Sequence, residues 1–148
     1  PLRPVLTLKS RVAQVRELPA GSSVSYGRTY ISEQPIRTAV IAAGYADGHP
    51  RRLSNQGYDT IRGKAYKQIG RICMDMCMLD VTEVEQVRAG DIVTLVGVDG
   101  SQRLTVEDWA AAAETIPYEV LTSLGLRVPR YYLQDGKPME RADYLSHL

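Results

Sequence analysis

The sequence predicts a mainly-β domain, a Greek-key-like β-barrel with one or two short helices near its C-terminal third. Three observations lead there. About eight short extended runs follow one another with Gly, Pro, Asp or Asn between them, the pattern of a barrel or sandwich. Helical spacing occurs only between Thr105 and Gly125. The 148 residues, 44% of them hydrophobic, suffice for one core without disulfides or metal.

The elements follow in order. Val5 and Thr7, then Val12, Val15 and Leu18, lie in two roughly alternating runs read as two strands joined near residues 9–11, the second ended by Pro19, Ala20 and Gly21. Residues 22–26 (SSVSY) resume as a short extended piece punctuated by Gly27, and residues 36–43 (IRTAVIAA) form the clearest buried strand. Residues 44–55 (GYADGHPRRLSN) hold two glycines, a proline and several polar side chains, which predicts a long surface loop of the kind that often carries function. Residues 59–61 and 65–69 flank Arg62, Gly63 and Lys64 as a hairpin.

Residues 70–81 (GRICMDMCMLDV) alternate from Ile72 onward. Ile72, Met74, Met76 and Met78 share one face and Cys73, Cys77 and Leu79 the other, as in a strand apolar on both sides apart from Asp75. A polar connection over 83–90 leads to a buried strand over 92–98 and a hairpin turn at Asp99 and Gly100. Thr105 caps a helix over VEDWAAAAET, with Glu107 and Asp108 in the first turn, where the helix dipole favours acids. Ile116 and Pro117 stop it, and Pro117 starts a second short helix, YEVLTSLG, closed by Gly125. A final strand over 128–133 and a turn over 134–137 complete the chain.

Composition narrows the function classes. The net charge of +1 is too small for the electrostatic footprint of phosphate-backbone binding, so nucleic acid is not an expected partner. No apolar run approaches the ~20 residues of a membrane helix, and the N-terminus lacks a secretory layout; a cytoplasmic protein without a membrane partner is expected. Pro1 in place of Met predicts one domain of a longer polypeptide. The cations are 14 Arg and 4 Lys, a bias that suits bidentate pairing with carboxylate or phosphate or reflects genomic composition alone. On a strand, Cys73 and Cys77 would stand about 13 Å apart at ~3.3 Å per residue, too far for a disulfide. With histidines only at His49 and His147, the CxxxC spacing is a poor zinc site, so buried free thiols and no metal are expected.

No Gly-rich phosphate loop, paired-histidine motif or Ser-His-Asp grouping is present. What remains is Tyr26, Tyr45 with Asp47, Arg71 with Asp75, and Tyr118, each of which also has a purely structural explanation. A tyrosine acts as a base only where neighbours lower its usual pKa of ~10; Arg28 would share a strand face with Tyr26 if the strand continued. Asp75, in an apolar strand, requires a partner, and Arg71, four positions back, is the nearest, which predicts a structural ion pair.

Five segments in order, VSYGRTY (24–30), AAGYADGHPRRLSN (42–55), GRICMDMCMLDV (70–81), AGDIVTLVG (89–97) and TIPYEVLTSLGLRVPR (115–130), resemble the C-terminal domain of alanine racemases over nearly the whole chain. That family uses pyridoxal 5'-phosphate, held on a lysine of an N-terminal (β/α)8 barrel, while the C-terminal β domain completes the active site of the partner subunit in a homodimer. The resemblance implies that Tyr26 is the second catalytic base and that Tyr45 narrows the active-site entrance. It further implies that Cys73 and Met74 lie by the substrate carboxylate, the Met74 backbone N–H being a donor, and that Tyr118 hydrogen-bonds the cofactor phosphate. Arg51, Arg71 and Ile116 match positions lining the substrate corridor.

Such a domain would serve the interconversion of L- and D-alanine for cell-wall peptidoglycan. Racemisation needs an acid/base group on each face of the substrate Cα; two domains supplying one each would explain a base with no partner in its own sequence. The barrel is absent and none of the four lysines lies in the family's cofactor motif, so the chain alone is expected neither to bind the cofactor covalently nor to racemise alanine. The alternatives are the same domain of a broad-specificity or serine racemase, and a non-catalytic β-barrel binding module favoured only by residues 49–52 (HPRR).

Overall fold

In the computed structural model, residues 3–84 and 86–143 are described; Pro1 and His147, on which two of the expectations touch, lie outside them. The strands are β1 (Leu8–Leu18), β2 (Ser23–Val24), β3 (Tyr30–Ile31), β4 (Ile36–Ile41), β5 (Tyr58–Ile61), β6 (Lys64–Lys67), β7 (Cys77–Asp80), β8 (Ile92–Asp99), β9 (Gln102–Leu104), β10 (Arg130–Gln134) and β11 (Lys137–Ala142). Two helices, α1 (Val106–Ala112) and α2 (Pro117–Ser123), and three 3₁₀ turns, Tyr26–Arg28, Tyr45–Asp47 and Arg51–Leu53, complete the described residues. The mainly-β expectation with two short helices holds.

The main sheet runs β6-β5-β8-β1-β4-β7 with β9 added to β8, and its pairings are antiparallel. Its ends do not join in a ladder: an isolated bridge from Gln68 to Leu79 spans β6 and β7. The sheet thus curls on itself in a sandwich-like body, and "barrel" describes the curl more than the hydrogen bonding. The predicted pair of strands near the N-terminus is one strand. β1 pairs with β8 over Leu8–Arg11 and with β4 over Val12–Leu18, with register shifts between Leu8 and Lys9 and between Val12 and Gln14. A bulged strand bends and changes partner without a turn, so a polar interval at 9–11 mimics a break.

Alternation also misled at residues 70–76, which are irregular; only Cys77–Asp80 is strand. Gly70 sits at φ +74, and a Cβ there would lie 2.6 Å from the Val24 carbonyl oxygen, so the chain turns under β2 before β7 begins. The Tyr26 segment is a turn as well, so Arg28 and Tyr26 do not share a strand face.

Around Thr105 the expected cap is present. Its Oγ1 accepts the Asp108 N–H at 3.1 Å and its own N–H donates to Asp108 Oδ2 at 2.7 Å. α1 stops at Ala112, short of the predicted end at Thr115, because Glu114 takes a left-handed φ of +55. Ile41, Ile61, Leu79, Val93 and Leu95 pack with Trp109 of α1 and Val120 of α2 in one core. Each such aliphatic side chain contributes about 1.5–3 kcal/mol by leaving water. A smaller cluster of Val24, Ile36 and Ile69 anchors the strand that precedes Tyr26.

Candidate functional site

The turn that carries Tyr26 uses left-handed backbone at Ser25 (φ +64), Gly27 (+71) and Arg28 (+48). Non-glycine residues adopt this region at a cost of roughly 1–2 kcal/mol each, and such strain persists where the surroundings fix it. Here the fixing groups belong to the 70–76 loop. Ser25 Oγ donates to the Arg71 carbonyl at 2.6 Å and lies 3.3 Å from Cys73 Sγ. A Cβ on Gly27 would come within 3.2 Å of Arg71 Nε, so the guanidinium stem lies along the turn. Tyr26 itself is 73% exposed, and among the described residues its hydroxyl has no hydrogen-bond partner.

The Tyr45 turn is joined to the same loop from the other side. The Tyr45 and Ala46 N–H groups donate to the Cys73 and Met74 carbonyls, both at 3.0 Å. Gly44 makes this approach possible: a Cβ there would stand 2.3 Å from both carbonyl oxygens. Asp47 Oδ2 accepts the Gly44 N–H at 2.9 Å and closes the turn. The loop is also held from below, since Ser54 Oγ accepts the Ile72 N–H at 3.0 Å and Asn55 Oδ1 the Gly70 N–H at 2.6 Å. Met74 is 52% exposed, and no acceptor for its backbone N–H is found among the described residues.

α2 packs its C-terminal end on the Tyr45 turn: Ser123 Oγ donates to the Gly48 carbonyl at 3.2 Å. Tyr118, the second residue of α2, is 75% exposed. Arg51 is exposed and, with Tyr45, lines a cleft of about 300 Å³ walled by Glu119, Val120 and Ser123 of α2 and by Ala113 and Thr115 ahead of it. Tyr26, Cys73, Met74 and Tyr118 lie outside that cleft's lining. The structure therefore ties the Tyr26 turn and the Tyr45 turn to the one loop that carries Arg71, Cys73 and Met74. Among the described residues, Arg51, Ile116 and Tyr118 make no hydrogen bond to those three segments; Ile116 and Tyr118 are exposed at the start of α2.

The expected Arg71–Asp75 pair does not form. Asp75 is bound by Arg127, whose terminal nitrogen reaches Asp75 Oδ1 at 2.7 Å and whose Nε reaches Asp47 Oδ1 at 2.7 Å. These hydrogen bonds, Asp47's first, raise the Arg127 pKa. Arg127, Ser25, Ser54 and Asn55 lie inside the segments that carry the resemblance, but neither their residue types nor their spacing marks them as partners of this loop. Nor do the cysteines share a strand face: Cys77 is buried on β7, while Cys73 is partly exposed in the loop.

Of the groups a pyridoxal phosphate would need, the exposed Tyr118 hydroxyl fits as a phosphate donor. The lysines Lys9, Lys64, Lys67 and Lys137 sit on β1, β6 and β11, none of them on the segments bearing Tyr26, Met74 and Tyr118. The fit is to the phosphate end of the cofactor alone.

A separate polar knot lies in the core. Gln68 Nε2 donates to Asp59 Oδ2 at 2.9 Å and shares a 2.8 Å hydrogen bond with His49 Nε2; His49 stacks on Trp109 with centroids 4.7 Å apart. Burial lowers the His49 pKa to about 3 and raises that of Asp59 to about 7 against the Gln68 hydrogen bond. Burial, and then Asp59, push the Cys77 thiol up. Ligand atoms of His49, Asp59 and Cys77 lie within 4.8 Å of one another, a spacing a divalent cation could use, and between about pH 3 and pH 7 burial keeps all three neutral.

The family model "Alanine racemase, C-terminal domain" matches residues 5–132. An alanine racemase of Halothermothrix orenii is 47% identical over 131 residues, 88% of this chain and 35% of that protein. Alanine racemase 2 of Caldanaerobacter subterraneus is 42% identical over 145 residues, 98% of this chain and 37% of its own. The crystal structure of the Bacillus anthracis alanine racemase with bound L-Ala-P superposes with a TM-score of 0.92 at 34% identity, covering 99% of this chain and 37% of that one. The Bartonella henselae alanine racemase with covalently bound pyridoxal phosphate superposes at 0.75 and 36% identity, covering 80% of this chain and 32% of that one. The chain thus spans little more than a third of the curated relatives it matches.

Proposed function

Because the chain belongs to the alanine racemase C-terminal domain family, we propose that it supplies one of the two acid/base groups of a pyridoxal-phosphate-dependent alanine racemase, and that Tyr26 is that group. The enzyme would be a cytoplasmic homodimer making D-alanine for peptidoglycan. An N-terminal barrel would carry the cofactor lysine, and this domain would face the barrel of the second subunit. The observation that carries the reading is the strap between the Tyr26 turn and the loop of Arg71, Cys73 and Met74. It places an exposed phenol and a free backbone donor on two segments tied by the Ser25 bonds.

Pyridoxal phosphate, when bound, would supply the electron sink that makes the substrate Cα proton acidic. This chain's part is to move and orient. Tyr26 Oη takes or returns the proton on one face of Cα, the barrel's lysine serving the other. Strain and strapping fix the backbone that carries the phenol, which reduces the ordering left for the moment of transfer. The Met74 N–H donates to the substrate carboxylate, with Cys73 beside it. Tyr118 Oη donates to the cofactor phosphate. Tyr45 narrows the entrance, and Arg51 and Arg71, with Ile116, line the corridor, where guanidinium groups draw in a carboxylate-bearing substrate.

Turnover tests the reading. The full-length enzyme is expected to racemise alanine in preference to serine, and this chain alone is expected to show no turnover with or without added pyridoxal phosphate. A preference for serine would replace the substrate, and activity of the isolated chain would overturn the division of labour.

A further inference from the structure

We propose that Arg127 is a positioning residue of this site, the brace that sets the spacing between the Tyr45 turn and the Met74 backbone amide; the inference rests on the function proposed above. Arg127 follows α2 in the chain, and its planar fork is engaged on two edges, Nε with Asp47 and a terminal nitrogen with Asp75, each at 2.7 Å. The two carboxylates belong to different site segments. Asp47 ends the turn that begins at Tyr45 and binds the Gly44 N–H with its other oxygen. Asp75 directly follows Met74. One guanidinium therefore closes a ring whose other side is the pair of backbone bonds from Tyr45 and Ala46 to Cys73 and Met74.

The segment that leads into Arg127 is itself seated on the Tyr45 turn. A Cβ on Gly125, two residues before Arg127, would meet the Ala46 carbonyl oxygen at 2.9 Å, and Ser123 Oγ binds the Gly48 carbonyl. The segments carrying Tyr45, Met74 and Tyr118 thus converge where Arg127 sits. Stability is a poor account of this arrangement, because the Asp75 side chain is 55% exposed and partly solvated ion pairs contribute little to folding. Placement is a better one. Two carboxylates on one rigid fork define a distance and a plane, which a lysine ammonium, a point charge on a flexible stem, does not.

The test uses the full-length enzyme with Arg127→Met, Arg127→Lys and Asp75→Asn. Arg127→Met is expected to raise KM for alanine about tenfold with a smaller fall in kcat, since the carboxylate donor is displaced in ground state and transition state alike. Arg127→Lys should recover only part of that loss. Asp75→Asn should reproduce the KM effect, and the double variant Arg127→Met with Asp75→Asn should be no worse than the first alone. Hydrogen exchange should quicken at residues 44–48 and 73–76 and stay unchanged in β4 and β8. Unchanged KM, full rescue by lysine, additive effects, or exchange quickened uniformly through β4 and β8 would each overturn the proposal. The two readings separate through Tyr26→Phe: if that variant is fully active the proposed function fails, whereas an impaired Tyr26→Phe beside a normal Arg127→Met removes only the brace.

Discussion

Replacing Asp59 by Asn is expected to stabilise the chain at neutral pH and not at acid pH. The Asp59 carboxyl is fully buried and held up to about 7, against an ordinary 3.8. The folded chain therefore keeps a proton that the unfolded chain releases. Its contribution is complete below 3.8 and is lost as pH rises to about 7; at ~1.4 kcal/mol per unit over roughly 3 units the loss is about 4 kcal/mol. His49 runs the other way: lowered to about 3 from 6.5, its contribution is complete above 6.5 and lost as pH falls.

Between 3.8 and 6.5 each state holds one proton of the pair, on Asp59 when folded and on His49 when unfolded. The pair then adds no slope to stability in that window. The asparagine keeps an oxygen for the Gln68 hydrogen bond and removes the titration. Its advantage should grow from nothing near pH 3.8 to about 4 kcal/mol above pH 7, and its own stability should climb with pH where the parent is flat. Urea denaturation between about pH 4 and pH 8 reads this as a midpoint displacement of about 2 M at the upper end, with m of ~2 kcal/mol/M. A displacement independent of pH, or one largest at the acid end, would refute the reasoning.

Other outcomes follow from single contacts. Thr105→Ala removes the reciprocal cap with Asp108 and should lower stability by about 1 kcal/mol in the same denaturation assay. Gly44→Ala places a methyl 2.3 Å from two carbonyl oxygens; in the full-length enzyme it should weaken alanine binding by at least about tenfold, seen as a raised KM. Of the two thiols, Cys73 should react with a disulfide reagent in the native chain, while Cys77, buried and with its thiol pKa raised, should react only on unfolding; equal native rates would contradict the burial.

The sequence was most legible where local chemistry decides structure. The hairpin around Gly63, the buried strand at 36–41 and the Thr105 cap need only nearby residues, and all three formed as expected. Residues 70–76 failed because alternating apolar side chains look the same in a strand and in a loop whose methionines reach outward. What makes them a loop is the backbone contact between Gly70 and Val24, 46 residues earlier. The site was legible as motifs but not as geometry. Asp75, an aspartate among apolar residues, needs a partner, and Arg71 is the nearest arginine in sequence, yet the partner is Arg127, 52 residues away. The core knot left a weaker trace, an Asp beside apolar residues in β5, and its histidine and glutamine come from separate segments.

The central claim, that Tyr26 exchanges the proton on one face only, is tested most directly by the two half-reactions of a Tyr26→Phe full-length enzyme in D₂O. Loss of the Cα proton to solvent is followed from L-alanine and from D-alanine separately. Exchange from one antipode should fall by at least about 100-fold while exchange from the other persists. Exchange intact from both, or reduced equally from both, would contradict the assignment.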